Sequence, residues 1–139
     1  MSSVSDLGQR VRGWFQREPK VVAPRNILIV DGNSAERKST VRLVESLGYQ
    51  ALQAASAGAA LGQLEEQDPA FILLALDLDD ASGMDALGQI HELDPDLPII
   101  MLAPSLYDNR VAEAMRKGAV AYLAKPWGAD DLRELLGRH

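Results

Sequence analysis

The runs NILIV (26–30), FILLAL (71–76) and IIMLA (99–103) constrain the fold more than any other feature of the chain. A strand with one wet face alternates apolar and polar side chains. These runs do not alternate, so both faces of each must be buried. The segments between them have helical length. Helix one is expected from about Ala35 to Leu47, with Val41, Leu43, Val44 and Leu47 inward and Gly48 as its stop. YQALQA (49–54) reads as strand two, and SAGAALGQLEEQ (56–67) as helix two, stopped by Asp68-Pro69. A shorter helix, Met84 to Leu93, follows the third strand and ends at DPDLP. YDNRVAEAMRKG (107–118) reads as helix four, AYLA (121–124) as strand five and ADDLRELLG (129–137) as helix five. Buried strands separated by helices demand a parallel sheet covered on both sides. Five such units make a doubly wound (βα)5 α/β sandwich with a five-stranded parallel sheet.

The remaining segment, residues 1–25, differs in kind. Val4, Leu7, Val11 and Trp14/Phe15 recur at helical spacing, and Arg10, Arg12 and Arg17 lie largely off that stripe. Pro19 and Pro24 then bracket an extended linker. The expected organisation is a basic amphipathic helix with its linker over 1–25 and an α/β domain over 26–139. Residues 1–25 carry five basic against two acidic side chains, whereas the remainder carries nine against eighteen. An acidic body repels phosphate backbones, so nucleic-acid binding by the main domain is not expected. The 139 residues contain no cysteine, which excludes disulfides, thiol catalysis and zinc sites built on Cys. No apolar run is long enough to span a bilayer and no signal-peptide pattern opens the chain, so a cytoplasmic location is the expectation.

In an open parallel sheet, sites form at the carboxyl ends of strands. The residues to weigh are therefore Asp31-Gly32, Ala75 to Asp80, Ala103-Pro104 and Lys125-Pro126. Neither GxGxxG nor GxxxxGK[ST] follows any strand, which argues against a dinucleotide or NTP enzyme.

Three of these strand ends carry a family pattern. ILIVDGN (27–33) is similar to ILIVDDN, LDPDLPIIMLA (93–103) to LDPDIPIIMLT, and KGAVAYLAKPW (117–127) to AGADDYLLKPF. Together, in order and at the same spacing over about Asn26 to Leu136, they resemble the receiver domain of bacterial two-component response regulators, a CheY-like, flavodoxin-like fold. The resemblance implies phosphoryl transfer to an Asp at the end of strand three. Two acids after strand one help hold Mg²⁺, a Lys after strand five pairs with the phosphoryl oxygens, and a hydroxyl after strand four hydrogen-bonds them. An aromatic on strand five follows that hydroxyl and reshapes the face made by helix four, strand five and helix five.

Carried onto this chain, Asp31 matches the first acid and Lys125 the lysine, followed by Pro126, whose peptide bond is often cis in the family. Tyr122 matches the aromatic. Gly32 stands where the second acid is expected and Ala103 where the hydroxyl is expected. Aligned without gaps, ALDLDDASGMDAL (75–87) puts Ala75 on the acceptor and Ser82-Gly83 on the Asp-Gly turn of DINMPGMDGLELL. A rival frame, with GMDA on GMDG, needs an insertion and a compensating deletion. The gap-free frame implies a degenerate pseudo-receiver, unable to accept a phosphoryl group and acting as a protein–protein interaction module without enzymatic activity.

The competing reading is an active regulator with Asp77 as a displaced acceptor, and only then a Mg²⁺ cofactor. Asp77 lies on the same side of an extended chain as Ala75 but roughly 6 to 7 Å further along. Otherwise no metal is expected; Asp31 and Asp77 are the weak candidates, and Asp77, Asp79 and Asp80 read as a solvated acidic loop. With no acceptor, Lys125 is expected to form a structural ion pair with Asp31. Tyr122 and Trp127 are expected on the partner face, Trp127 mainly as a packing residue and otherwise as an anchor. His91 and His139 read as surface residues. Residues 4–17 have several open roles: packing on the domain, pairing with a second copy, entering a partner's groove, or lying on the inner membrane surface. A flavodoxin-like enzyme or small-ligand sensor is a further competitor, without a ligand-binding loop to support it.

Overall fold

The computed structural model describes residues 25–139. Strands β1 (Asn26–Val30), β2 (Gln50–Ala54), β3 (Phe71–Ala75), β4 (Ile99–Ala103) and β5 (Ala121–Ala124) alternate with helices α1 (Ser34–Ser46), α2 (Ala57–Glu66), α3 (Gly83–Leu93), α4 (Arg110–Arg116) and α5 (Ala129–Arg138). Every strand pair is parallel and the order is β2-β1-β3-β4-β5. The parallel, doubly wound sheet is the one expected from the unbroken apolar runs, and its strand order is the flavodoxin-like one that the resemblance implied. The amphipathic helix expected over 4–17 and its linker lie outside the described residues, and so do the dimer, groove and membrane roles attached to them.

All of β3 and β4 is buried, as is β1 from Ile27 onward. Strand alternation divides their side chains into two cores. Leu28, Val30, Ile72, Leu74 and Met101 pack against α2, α3 and α4 through Ala60, Leu87, Ile90 and Ala114. Ile27, Ile29, Phe71, Leu73, Ile100 and Leu102 pack against α1 and α5 through Val44, Leu132 and Leu136. Each fully buried Leu, Ile or Phe contributes roughly 1.5–3 kcal/mol of transfer free energy. That is why these strands, rather than the shorter-run edges β2 and β5, fix the centre of the sheet.

The helices start on side-chain caps. Asn33 accepts a hydrogen bond from the Glu36 amide at 3.0 Å, Ser56 from Ala59 at 3.0 Å and Ser82 from Asp85 at 3.1 Å. Gly48 and Gly118, with φ of +91° and +118°, close α1 and α4 in the left-handed region. Helix four is shorter than expected: it begins at Arg110, not Tyr107. The Ser105 hydroxyl takes the Tyr107 amide at 3.2 Å and Asp108 takes the Arg110 amide at 2.9 Å, so local turns claim the donors a longer helix would use. His91 is also corrected. It is half-buried on α3 beneath Gly118, where an added Cβ would lie 2.7 Å from the imidazole ring.

Candidate functional site

The strand order reverses between β1 and β3, and a parallel sheet opens a crevice at that point. A cleft of about 690 Å³ lies there, and Asp31, Ala75, Ala103 and Lys125 all line it. Val30 pairs with Leu74, so Asp31 stands level with Ala75, which itself pairs with Leu102. Asp31, Ala75 and Leu102 thus share the α1/α5 side of the sheet, with a methyl group beside the acid. Ala103 ends β4 on the other side.

Asp31 is only 5% exposed. Its Oδ1 accepts the Asn33 amide at 2.9 Å, and its carbonyl accepts Nη1 of Arg37 at 2.8 Å. Burial pushes its pKa above the ordinary value. The Asn33 hydrogen bond opposes that rise, Glu36 adds to it, and Lys125 and Arg37 oppose it. The ion pair expected between Lys125 and Asp31 is not the one formed. Lys125 pairs with Glu36, on the first turn of α1. Both of those side chains are part-exposed at the cleft mouth, whereas Asp31 is held inside by the Asn33 amide. The Lys125–Pro126 peptide bond is cis, as the resemblance implied.

Asp77, Asp79 and Asp80 are exposed, as expected of a solvated acidic loop, but the loop is also tied to its surroundings by hydrogen bonds. Asp80 accepts the amides of Ala57 at 2.8 Å and Gly58 at 3.0 Å, capping α2 from another segment, and these bonds lower its pKa. Asp79 lies over Gly32: a Cβ added at Gly32 would meet Asp79 Oδ1 at 2.8 Å. A carboxylate from another loop therefore stands beside the position where the second acid is missing. Asp77 turns outward, its side chain 80% exposed, and pairs with Arg110 at 3.2 Å. Asp108 holds Arg110 from the other side at 2.8 Å; that hydrogen bond lowers the Asp108 pKa and raises that of Arg110. Gly83 anchors the far end of the loop. A Cβ there would lie 2.1 Å from the Ala75 carbonyl oxygen, so only glycine permits this approach of α3 to β3. The roles of Asp79, Asp80, Glu36 and Arg110 were not read from the sequence. The one local signal that could have placed Glu36 beside the strand ends is the Asn33-x-x-Glu36 spacing of a capped helix start.

Mg²⁺ demands near-octahedral oxygen ligands at about 2.0–2.1 Å. Asp31 and Asp79 supply carboxylates, but Ala75 presents a methyl group and Asp77 is drawn away by Arg110. Among the described residues, no group of three or more His, Asp or Glu side chains is arranged to hold a metal ion. The residues present do not fit that ion.

Tyr122 and Trp127 do not share a face. Tyr122 pairs with Met101 on the α4 side of the sheet and is 38% exposed. Trp127 packs on the α1/α5 core, as its packing role required, and lines the cleft. Leu106 and Tyr107 before α4, Met115 on α4 and Val120 before β5 are exposed as well. No helix among the described residues is long and apolar enough to cross a membrane.

The response regulator receiver domain profile matches residues 27–137. The acid tolerance regulatory protein ActR of Rhizobium meliloti (strain 1021) is 30% identical over 108 residues, covering 78% of this chain and 56% of that protein. The photosynthetic apparatus regulatory protein RegA of Rhodobacter capsulatus is 28% identical over 112 residues, 81% of this chain and 61% of its own. The chain thus spans little more than half the length of these relatives. A CheY-like receiver domain protein from Methanospirillum hungatei JF-1 superposes with a TM-score of 0.76 at 31% identity, over 84% of this chain and 93% of that one. The receiver domain of the sensor histidine kinase PA1611 of Pseudomonas aeruginosa PAO1 superposes at 0.77 with 27% identity, over 84% and 97%; it was solved with magnesium in its active site cleft.

Proposed function

The chain belongs to the response regulator receiver domain family, and on that premise we propose that it is a pseudo-receiver, a signalling module that docks partners without accepting a phosphoryl group. The observation that carries this reading is the methyl group of Ala75 in the cleft beside Asp31, where the family places its acceptor carboxylate. An alanine offers no oxygen to phosphorus. Two further positions agree: Gly32 brings no carboxylate and Ala103 no hydroxyl. The loss is concerted, affecting acceptor, metal ligand and phosphoryl reader together.

Asp77 is poorly suited to replace the acceptor. It points to solvent and Arg110 holds one of its oxygens, so nucleophilic attack would require breaking that pair and bending the loop inward. No Mg²⁺ is needed on this reading, and no catalysis. Tyr122 has no moving hydroxyl to follow and serves as part of a fixed surface. With Leu106, Tyr107, Met115 and Val120 it offers apolar area to another signalling protein in the cytoplasm.

Incubation with Mg²⁺ and acetyl phosphate, followed by intact mass measurement, tests the reading. The expected spectrum is unchanged. A gain of one phosphoryl group that disappears in Asp77→Ala would establish the displaced-acceptor alternative instead.

A further inference from the structure

We propose that the cleft at the strand ends is a binding site for a small organic amine, a protonated nitrogen carried on a compact apolar body. The inference rests on the pseudo-receiver reading, since a site that accepted phosphoryl groups would have to admit Mg²⁺ and anionic oxygens. Three observations carry it. The first is volume: about 690 Å³ lies within the range of small-molecule pockets. The short side chains of Ala75 and Ala103 leave space that an acceptor and a hydroxyl would otherwise occupy, while Asp79 covers the position beside Gly32.

The second is the lining. Leu43, Leu102, Pro104 and Trp127 form apolar walls that a phosphoryl group could not use and an aromatic or aliphatic body can. The third is charge. Of the acids lining the cleft, Glu36 is paired with Lys125 and Asp77 with Arg110, which leaves Asp31, with Arg37 bonded to its carbonyl, and Asp79 as the carboxylates without an ion-pair partner among the described residues. Asp31 is nearly buried, and among the described residues its side chain takes one hydrogen bond, from the Asn33 amide. Its carboxylate therefore retains acceptor capacity directed at the cleft, beside the Asp79 carboxylate over Gly32. A protonated amine satisfies that capacity with charge-assisted hydrogen bonds, whereas a carboxylate or phosphate ligand meets like charge. The preference is thus opposite to that of a phosphate-accepting site.

The test uses the full chain and two probes of matched shape, phenethylamine and hydrocinnamate. The readout is the indole N–H resonance of Trp127, assigned by its loss in Trp127→Phe. The expected result is a saturable shift with phenethylamine and none with hydrocinnamate. Asp31→Asn should weaken amine binding by about tenfold or more, the effect of losing a hydrogen bond to a charged group. Ala75→Leu should abolish it by filling the cleft, and Ala103→Val repeats that test with a smaller insertion should Ala75→Leu fail to fold. The proposal is overturned if neither probe gives a saturable shift, if the acid binds as well as the amine, or if Asp31→Asn binds unchanged. Intact mass after acetyl phosphate treatment keeps the two claims apart. A phosphoryl gain overturns the underlying reading, while an unchanged mass without amine binding overturns this inference alone.

Discussion

Single side chains decide the character of the strand-end cleft. Asp31 is an acid kept among apolar groups, and burial raises its pKa above 3.8. A carboxyl whose folded pKa is raised contributes stability that is present below its unfolded value and is lost as pH rises through the folded one. Asp31→Asn removes this dependence. Denaturant midpoints of the variant should therefore gain on the parent as pH is raised from 3 towards neutrality, and a gain in the opposite direction would contradict the burial argument. Gly83 and Gly88 lie on the same helix but make opposite predictions. A Cβ at Gly83 collides with the β3 backbone, so Gly83→Ala should destabilise by about 1–3 kcal/mol or more. A Cβ at Gly88 meets nothing within 4 Å, so Gly88→Ala should stabilise by about 0.4–1 kcal/mol through reduced backbone entropy of the unfolded chain. Chemical unfolding of the two variants side by side checks both signs.

At the scale of elements, the β3–α3 loop is held by hydrogen bonds to two helix starts. Ser82 caps α3, and Ser82→Ala should cost about 0.5–2 kcal/mol. Asp80 caps α2 across the loop, with its pKa lowered by the Gly58 and Ala57 amides. A depressed carboxyl contributes stability above its unfolded pKa and loses it as pH falls through the folded one. Hydrogen exchange at Ala57 and Gly58 should therefore quicken as pH drops below about 3.8 relative to other helix starts, after correction for the intrinsic rate. Asp80→Asn should show the faster relative exchange already at neutral pH. The same loop sets the orientation of Asp77 and Asp79, so its caps bear on the site as well as on stability. These caps also mark where legibility in the sequence declined. Ser82 and Asn33 stand directly before their helices and can be read as caps. Asp80 bonds to amides more than twenty positions away, and no local pattern reports that.

For the whole molecule, stability resides in the two cores that flank the sheet. Leu73 is fully buried at the centre of β3, and Leu73→Ala should cost about 2–5 kcal/mol, seen as a large fall in the unfolding midpoint. Tyr107 is 93% exposed on the α4 side, so Tyr107→Ser should change stability by no more than about 0.5 kcal/mol while weakening capture of a docked partner. What the chain determined by itself was the architecture. Unbroken apolar runs at NILIV, FILLAL and IIMLA admit only strands covered on both faces, and glycines after helices marked the stops. It also determined which residues gather at the strand ends, because parallel topology brings every carboxyl end to one edge. Only the tertiary structure decided how those residues pair. Lys125 meets Glu36 rather than Asp31, Asp79 covers Gly32, and Tyr122 and Trp127 part to opposite faces. The physical reason is that apolar burial is non-directional and written in local periodicity, whereas an ion pair or a carboxylate cap depends on distances set to within an ångström between segments remote in the chain.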